Sequence, residues 1–271
     1  MFSDGLFFRD GVLIGDGVLS RDGVFLGDGV FETVHLRPAG PWLLEQHLER
    51  LARSADLLDL PVPDLTAKID ETITGWSGDE AALRIVCRRD APPSITVSPI
   101  PGTVLAERRR GVRVLTSDAG VSIHRPPWSL ATAKTMSYAA NLAARRWAAA
   151  HGADDMLWFS VEGFALEAPT ASLVWLTGNR LCTVPPGEAA ILPGITAAHL
   201  LSRAAEVGLE PAAEMITRDD LRRADAIWLA SSLRGLAEVI ALDGAQRARS
   251  RWTGRLLDLL GFLSADADQP G

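Results

Sequence analysis

The chain has 271 residues, 47 % hydrophobic and 23 % charged, the proportions of a globular protein that buries its own core rather than of a disordered or fibrous one. A formal charge of −7 excludes the basic footprint of a nucleic-acid binder, and no uncharged apolar run reaches the roughly 18 residues of a membrane span. Asp4 interrupts any secretory leader and Cys87 and Cys182 lack CxxC spacing, so free, buried thiols in the cytoplasm are expected.

Residues 9–30 carry four near-copies of a hexapeptide, RDGV, GDGV, RDGV and GDGV. Asp-Gly between apolar residues favours tight hairpins because glycine takes positive φ cheaply, so short strands opening an antiparallel sheet are predicted. Leu44, His47, Leu48, Leu51, Ala55 and Leu58 recur at helical spacing, predicting an amphipathic helix over 43–60 with Glu45, Glu49, Arg50 and Arg53 on its other faces. Pro61 and Pro63 end it, and Asp64 caps a second helix over 64–76. Strands follow at 82–88, 94–100 and 112–115, and Arg108, Arg109 and Arg110 read as solvated surface. Gly120, Pro126 and Pro127 mark a break. The expected organisation is a small α+β domain over 1–119, a linker over 120–128 and a larger domain over 129–271.

In that larger domain an alanine-rich helix is predicted over 135–150, with Lys134 at its N-terminus and Gly152 just past its end. Strands at 156–160, 164–167, 172–176 and 181–184 read as a meander. A helix opens after Pro193 and Gly194, and a short one after Thr217. Strands at 227–230 and 239–242 precede a helix over 253–262 and a frayed tail.

Twenty-five of the 27 basic residues are arginine, leaving Lys68 and Lys134 as the only lysines. Arginine substitutes for lysine in most surface roles but not where a primary amine must form a Schiff base. Lys68 sits in a polar helical context and reads as surface. The five histidines show no metal-ligand spacing, and GxGxxG, GxxxxGK[ST] and GxSxG are all absent, so no metal is expected and the common nucleotide and hydrolase fingerprints do not apply. The run LPGIT at 192–196 places the amides of Ile195 and Thr196 at a helix N-terminus, a setting that attracts phosphate. With Lys134, Glu167 and Arg50 it makes a set: an amine, a carboxylate for a pyridinium nitrogen, and a cation plus amides for a phosphate, which together are what pyridoxal 5'-phosphate needs.

Six motifs in order, GDGVFET at 27–33, HLERL at 47–51, AKTMSYAANLAA at 133–144, LEAPTASL at 166–173, LPGIT at 192–196 and ASSLRGLAEV at 230–239, resemble those of the class IV (fold-type IV) pyridoxal-phosphate enzymes. That family includes branched-chain and D-amino-acid aminotransferases and aminodeoxychorismate lyase. The resemblance implies an α/β (α+β) subunit of two parts, an N-terminal antiparallel sheet with helices and a larger pseudobarrel, with the cofactor between them and a homodimer as the assembly. It implies that Lys134 holds the cofactor, that Glu167 faces the pyridine nitrogen, and that Arg50, Ile195, Thr196 and Ser232 hold the phosphate. Thr33 matches a lyase threonine suited to proton transfer beside Lys134, and SSLRG at 231–235 resembles the lyase group. Phe31, Arg88, Tyr138 and Arg234 are candidates for substrate binding. The implied reaction is conversion of 4-amino-4-deoxychorismate to 4-aminobenzoate and pyruvate in folate synthesis. The alternatives are a D-amino-acid or branched-chain aminotransferase and, more remotely, a non-catalytic protein retaining the fold.

Overall fold

The computed structural model describes residues 28–262, together with four two-residue strands ahead of them: β1 (Phe8–Arg9), β2 (Val12–Leu13), β3 (Val18–Leu19) and β4 (Phe25–Leu26). β1 pairs antiparallel with β2, Arg9 opposite Val12, so the first Asp-Gly pair lies between the two strands. β3 and β4 form a second pair. Among the described residues neither pair joins a larger sheet, so there the repeat does not open the N-terminal sheet as expected. That sheet starts at Gly29, where the Asp-Gly punctuation stops and nine residues run without a turn signal.

The smaller sheet has the order β6-β5-β7-β8, built from β5 (Gly29–Arg37), β6 (Gly40–Pro41), β7 (Ala81–Arg88) and β8 (Ala91–Pro99), all antiparallel. Side chains alternate between its faces. Val30, Val34, Leu36, Leu83, Ile85 and Cys87 pack with Leu51 and Ala55 of α1 (Leu44–Asp56) and Ile69 of α2 (Thr66–Thr74). The other face carries Phe31, Thr33, Arg84, Ser94 and Thr96, in cross-strand register.

An unpredicted helix, α3 (Gly102–Arg110), leads away from this sheet. Its Arg108 is half-buried, contacting Glu80 and donating to the Leu233 carbonyl at 2.5 Å, so the arginine run is not simply solvated surface. The next strand, β9 (Val112–Asp118), was expected ahead of the break. It pairs parallel with both β10 (Asp155–Phe159) and β15 (Gly235–Leu242) in the larger sheet. The change of sheet therefore falls between β8 and β9. Glycine and prolines near 120–127 mark irregular backbone, which is a different property from sheet membership.

The larger sheet runs β10-β9-β15-β14-β11-β12-β13, with β11 (Ser172–Thr177), β12 (Arg180–Thr183), β13 (Glu210–Ala213) and β14 (Ala226–Ser231); β16 (Ala245–Gln246) pairs with β15. The expected meander is not found. β10 and β11 lie far apart in the order, and residues 164–167 make only isolated bridges, Phe159 to Ala165 and Phe164 to Thr217. The cause is β9, whose parallel pairing sends β10 to the sheet edge. Phe159, Leu173, Trp175 and Leu229 fill one face; Trp228, Leu200, Leu256 and Phe262 fill the other. Around the sheet lie α4 (Ala139–Ala150), α5 (Pro186–Ala189), α6 (Ile195–Ser202), α7 (Arg218–Arg223) and α8 (Trp252–Leu259). Gly152 follows α4 at φ 78°, as expected of a glycine past a helix end. The result is the mixed α/β chain of two curled sheets that the resemblance implies. Cys87 and Cys182 are free and buried, as predicted. No described helix is long and apolar enough to cross a membrane. The expected frayed tail lies outside the described residues.

Candidate active site

Lys134 does not begin a helix. α4 starts at Ala139 because the residues before it are spent on main-chain pairing with β5. β6 covers only Leu36 and Arg37, so the rest of that edge of β5 is open. There Thr135 bridges Val30, the Phe31 amide donates to the Lys134 carbonyl at 3.0 Å, and the Met136 amide donates to the Gly29 carbonyl at 2.9 Å. Ser54 Oγ of α1 accepts from the Lys134 amide at 3.0 Å. Such an approach requires glycine at 29, where a Cβ would stand 2.6 Å from Met136 Sδ and 2.7 Å from the Cys87 carbonyl.

The amine Nζ of Lys134 lies 4.5 Å from the Phe31 ring centre and 5.6 Å from that of Tyr138. Those two rings meet edge to face at 5.3 Å, and Tyr138 Oη is fixed by donating to the Pro169 carbonyl. Burial, reinforced by the Arg50 charge, lowers the Lys134 pKa to about 8, against the opposing pull of Glu32 and Glu167. A substantial neutral fraction is thus present near physiological pH, the form that attacks a carbonyl or accepts a proton.

Glu167 follows β10 on an extended run whose carbonyl accepts from the Trp158 amide at 3.1 Å. Its carboxyl is pushed up to about 7 by burial, which outweighs one long hydrogen bond from the Leu192 amide at 3.4 Å and the charges of Lys134, Arg50 and Arg125. A carboxylate so poorly compensated gains from a cationic nitrogen placed beside it.

Leu192 leads into the start of α6. Gly194 caps that helix against β11, so closely that a Cβ would fall 2.0 Å from Ser172 Oγ. Thr196, 2 % exposed, has a buried Oγ1 with no protein partner. The helix N-terminus and this orphaned hydroxyl together suit a phosphate. Arg50 reaches the same loop: its Nη1 donates to the Pro193 carbonyl at 2.8 Å. A cavity of about 420 Å³ opens beside it, lined also by Arg53, Asp56, Leu57, Thr132 and Pro193.

Arg50 is buried, although it lies off the apolar stripe of α1. Its Nε and Nη2 donate to the two oxygens of Glu32 at 2.7 and 2.9 Å. His47 Nδ1 lies 2.7 Å from Glu32 Oε2, and its Nε2 lies 3.2 Å from Ser232 Oγ. Burial would raise the Glu32 pKa; the Arg50 charge and the hydrogen bonds from His47 and Arg50 more than offset it and hold it at about 2. Burial depresses the His47 pKa, so its neutral ring donates to Glu32 and accepts from Ser232. Glu32 and His47 were missed as functional residues. Glu32 falls between Val30 and Val34 on the apolar side of a period-two strand, where a charge needs a partner, and HLERL sets His47 and Arg50 three apart on one helix face.

Lys134, Phe31 and Tyr138 thus meet, and Arg50 meets the loop that leads to Ile195 and Thr196, while Ser232 is tied to Arg50 only through His47 and Glu32. Thr33 is half-buried on the Phe31 face. Arg88 lies opposite Gly29 on that face, 3.9 Å from Asp90. Arg234 is not brought in. It is 3 % exposed and ion-paired to Glu107 at 2.8 Å and Asp155 at 3.0 Å, which commits its charge to a buried structural cluster.

The sequence pattern of the class IV amino-transferases matches residues 29–242, from the first residue of β5 to the last of β15. The chain belongs to that family. Class IV amino-transferases are pyridoxal-phosphate enzymes, and the amine, carboxyl and phosphate-loop residues described above match that requirement. Among relatives, the chain is 38 % identical over 241 residues to a bifunctional aminodeoxychorismate lyase / D-amino acid transaminase of Mycobacterium tuberculosis, covering 81 % of this chain and 83 % of the relative. Among solved structures of class IV enzymes, the PLP-bound form of a hypothetical aminotransferase from Mycobacterium tuberculosis superposes with a TM-score of 0.83 at 35 % identity, covering 95 % of each chain. A fold IV transaminase of Curtobacterium pusillum gives 0.80 at 36 % identity, with 92 % and 91 % covered.

Proposed function

We propose that this class IV enzyme is a pyridoxal-phosphate-dependent lyase converting 4-amino-4-deoxychorismate to 4-aminobenzoate and pyruvate. The observation that carries the reading is the half-buried Lys134 amine, held near pKa 8 on the sheet face that also presents Thr33. Bound pyridoxal phosphate supplies an electron sink for a carbanion next to the substrate nitrogen. Arg50, the amides of Ile195 and Thr196, and the Thr196 and Ser232 hydroxyls hold its phosphate, and Glu167 faces its ring nitrogen. Lys134 would take the proton from the ring carbon that bears the substrate amine. Cleavage of the C–O bond then expels enolpyruvate, whose methylene takes a proton from Lys134 or Thr33 as the ring becomes aromatic. The reading carries with it a cytoplasmic homodimer working in folate synthesis.

Purified protein supplied with pyridoxal phosphate and aminodeoxychorismate, and no amino acceptor, is expected to release 4-aminobenzoate and pyruvate in equal amounts. No release, with exchange of an amino group between a D-amino acid and a keto acid, replaces the reading by the second one. That second reading, D-amino-acid transamination, is favoured by the bifunctional name of the 38 % identical relative. It uses the same residues, and Lys134 would again be the group that takes the proton from the substrate carbon bearing the amine.

A further inference from the structure

The two hydroxyls read as holding the phosphate differ in what their protons are doing. Thr196 Oγ1 is buried and has no partner among the described residues, so its proton is free to be donated. Ser232 lies in the tight turn between β14 and β15, where both of the next residues are pinned: the Leu233 carbonyl accepts from Arg108, and Arg234 is ion-paired to Glu107 and Asp155. The backbone that carries Ser232 is therefore fixed, and its Oγ lies 3.2 Å from His47 Nε2.

The far side of the imidazole sets the direction of that bond. Glu32 is ionised and can only accept, and its Oε2 receives His47 Nδ1 at 2.7 Å, Arg50 Nη2 at 2.9 Å and the Thr33 amide at 3.2 Å. Nδ1 therefore carries the one ring proton of neutral His47, Nε2 presents a lone pair, and Ser232 donates to it. A hydroxyl has a single proton, so Ser232 cannot serve His47 and an oxyanion together. Turned towards a phosphate, it leaves two lone pairs, Ser232 Oγ and His47 Nε2, facing one another at a ring that is fully buried. A proton on Nε2 removes the conflict. Burial keeps the ring neutral in the free protein, against the pull of Glu32 on β5 and with the help of the Arg50 charge on α1 and the Lys134 charge at the edge of β5. A bound phosphate offsets those two cations and so favours the charged ring.

We propose that binding of a phosphate group beside Ser232 draws one proton from solvent onto His47 Nε2, which makes His47 a positioning residue that acts on the phosphate through Ser232. The inference rests on the reading that Ser232 and the loop before α6 hold the cofactor's phosphate. One N–H bond forms, on Nε2; the Ser232 hydroxyl keeps its proton and swings it from His47 to a phosphate oxygen. The resulting line of carboxylate, imidazolium, hydroxyl and phosphate has a donor between every pair of acceptors. Because the bound form carries the extra proton, the grip on phosphate is firm at low pH and loosens as pH rises.

The test uses pyridoxamine phosphate, which carries the phosphate but no carbonyl for Lys134 to attack, on wild type, Ser232→Ala and His47→Asn. An asparagine amide can still donate to Glu32 but takes up no proton. Calorimetric titration in buffers of different ionisation enthalpy, between about pH 7 and 8 and so above the second phosphate ionisation near 6, counts the protons taken up. Wild type is expected to take up close to one more proton per subunit than either variant, and its affinity to fall more steeply with pH, by up to about tenfold per unit. Lys134, with its pKa at about 8, is present in all three proteins, so the differences isolate His47. In wild type alone, the 15N resonance of His47 Nε2 is expected to move from the lone-pair to the protonated position as ligand is added. Ser232→Ala is expected to weaken binding by about tenfold. If it does so while Nε2 stays unprotonated and proton uptake is equal in all three, the phosphate reading stands and the coupling is overturned. If Ser232→Ala binds as tightly as wild type, Ser232 leaves the phosphate site and the coupling goes with it. Failure of wild type to bind pyridoxamine phosphate overturns the cofactor reading as well.

Discussion

Glu32 and Arg50 form a bidentate pair in which both side chains are buried, the carboxylate on a strand and the guanidinium on the helix packed over it. Because two donors are taken by Glu32, the third, Nη1, is aimed at the loop before α6. The pair thus converts a flexible cation into a fixed one, at the end where a phosphate group would sit.

Replacing Glu32 by Gln leaves a buried guanidinium without its counter-charge. The expected loss is about 3–5 kcal/mol of stability, the usual cost of breaking one side of a buried ion pair. Retention of pyridoxal phosphate, measured by dialysis, is expected to fall as well. Wild type should also show acid sensitivity that the variant lacks. A carboxylate held at about 2 in the folded chain contributes stability that is complete above its ordinary value near 4.5 and is lost as pH falls towards 2. Equal acid unfolding curves for the two proteins would contradict this.

Lys134→Ala is expected to abolish covalent attachment of the cofactor and lower turnover by a factor on the order of 10³ or more. Since Lys68 is the only other lysine, borohydride reduction followed by peptide mass mapping gives an unambiguous readout. The mass increment belongs on the Lys134 peptide. In wild type the rate of cofactor uptake should rise with pH and level off above about 8, as the amine becomes neutral.

Glu167→Gln removes the negative charge opposite the expected ring nitrogen while keeping the side-chain shape. Turnover is expected to drop on the order of 100-fold with little change in melting temperature, because the carboxyl is held by only one long hydrogen bond. A variant with near-normal turnover would remove Glu167 from the chemistry.

Gly194→Ala drives a methyl group onto Ser172 at the very start of α6. A destabilisation of about 1–3 kcal/mol is expected from overpacking, with weaker phosphate affinity. Gly187→Ala is the control, since nothing lies within 4 Å of its would-be Cβ. Calorimetry on the two variants distinguishes them.

The elements that hold the site were largely legible because their signals are local. The helical period over 44–55, the Pro-Gly entry into α6 and the apolar runs of β7, β11, β14 and β15 each depend on neighbours in the chain. What escaped depends on partners distant in sequence. The motifs single out Arg50, but nothing near it in the chain points to Glu32 as its buried partner. Arg234 offers a free cation until Glu107 and Asp155 close around it. β9 reads as the end of the first domain because its five consecutive pairs with β10 bridge residues about forty positions apart. The repeat reads as strands joined by tight turns, yet nothing in a turn signal says which sheet its strands will join.

The way Lys134 is tied to the edge of β5 makes its position a matter of counting. Two main-chain bonds index the segment, one on the Lys134 carbonyl and one on the Met136 amide, so most side-chain changes nearby leave the amine where it is. A single residue added between Lys134 and Met136, or the loss of Thr135, is different: it would slide the segment by one step and present the lysine to the opposite side of the strand edge. At this place in the molecule, chain length is more tightly constrained than chemistry.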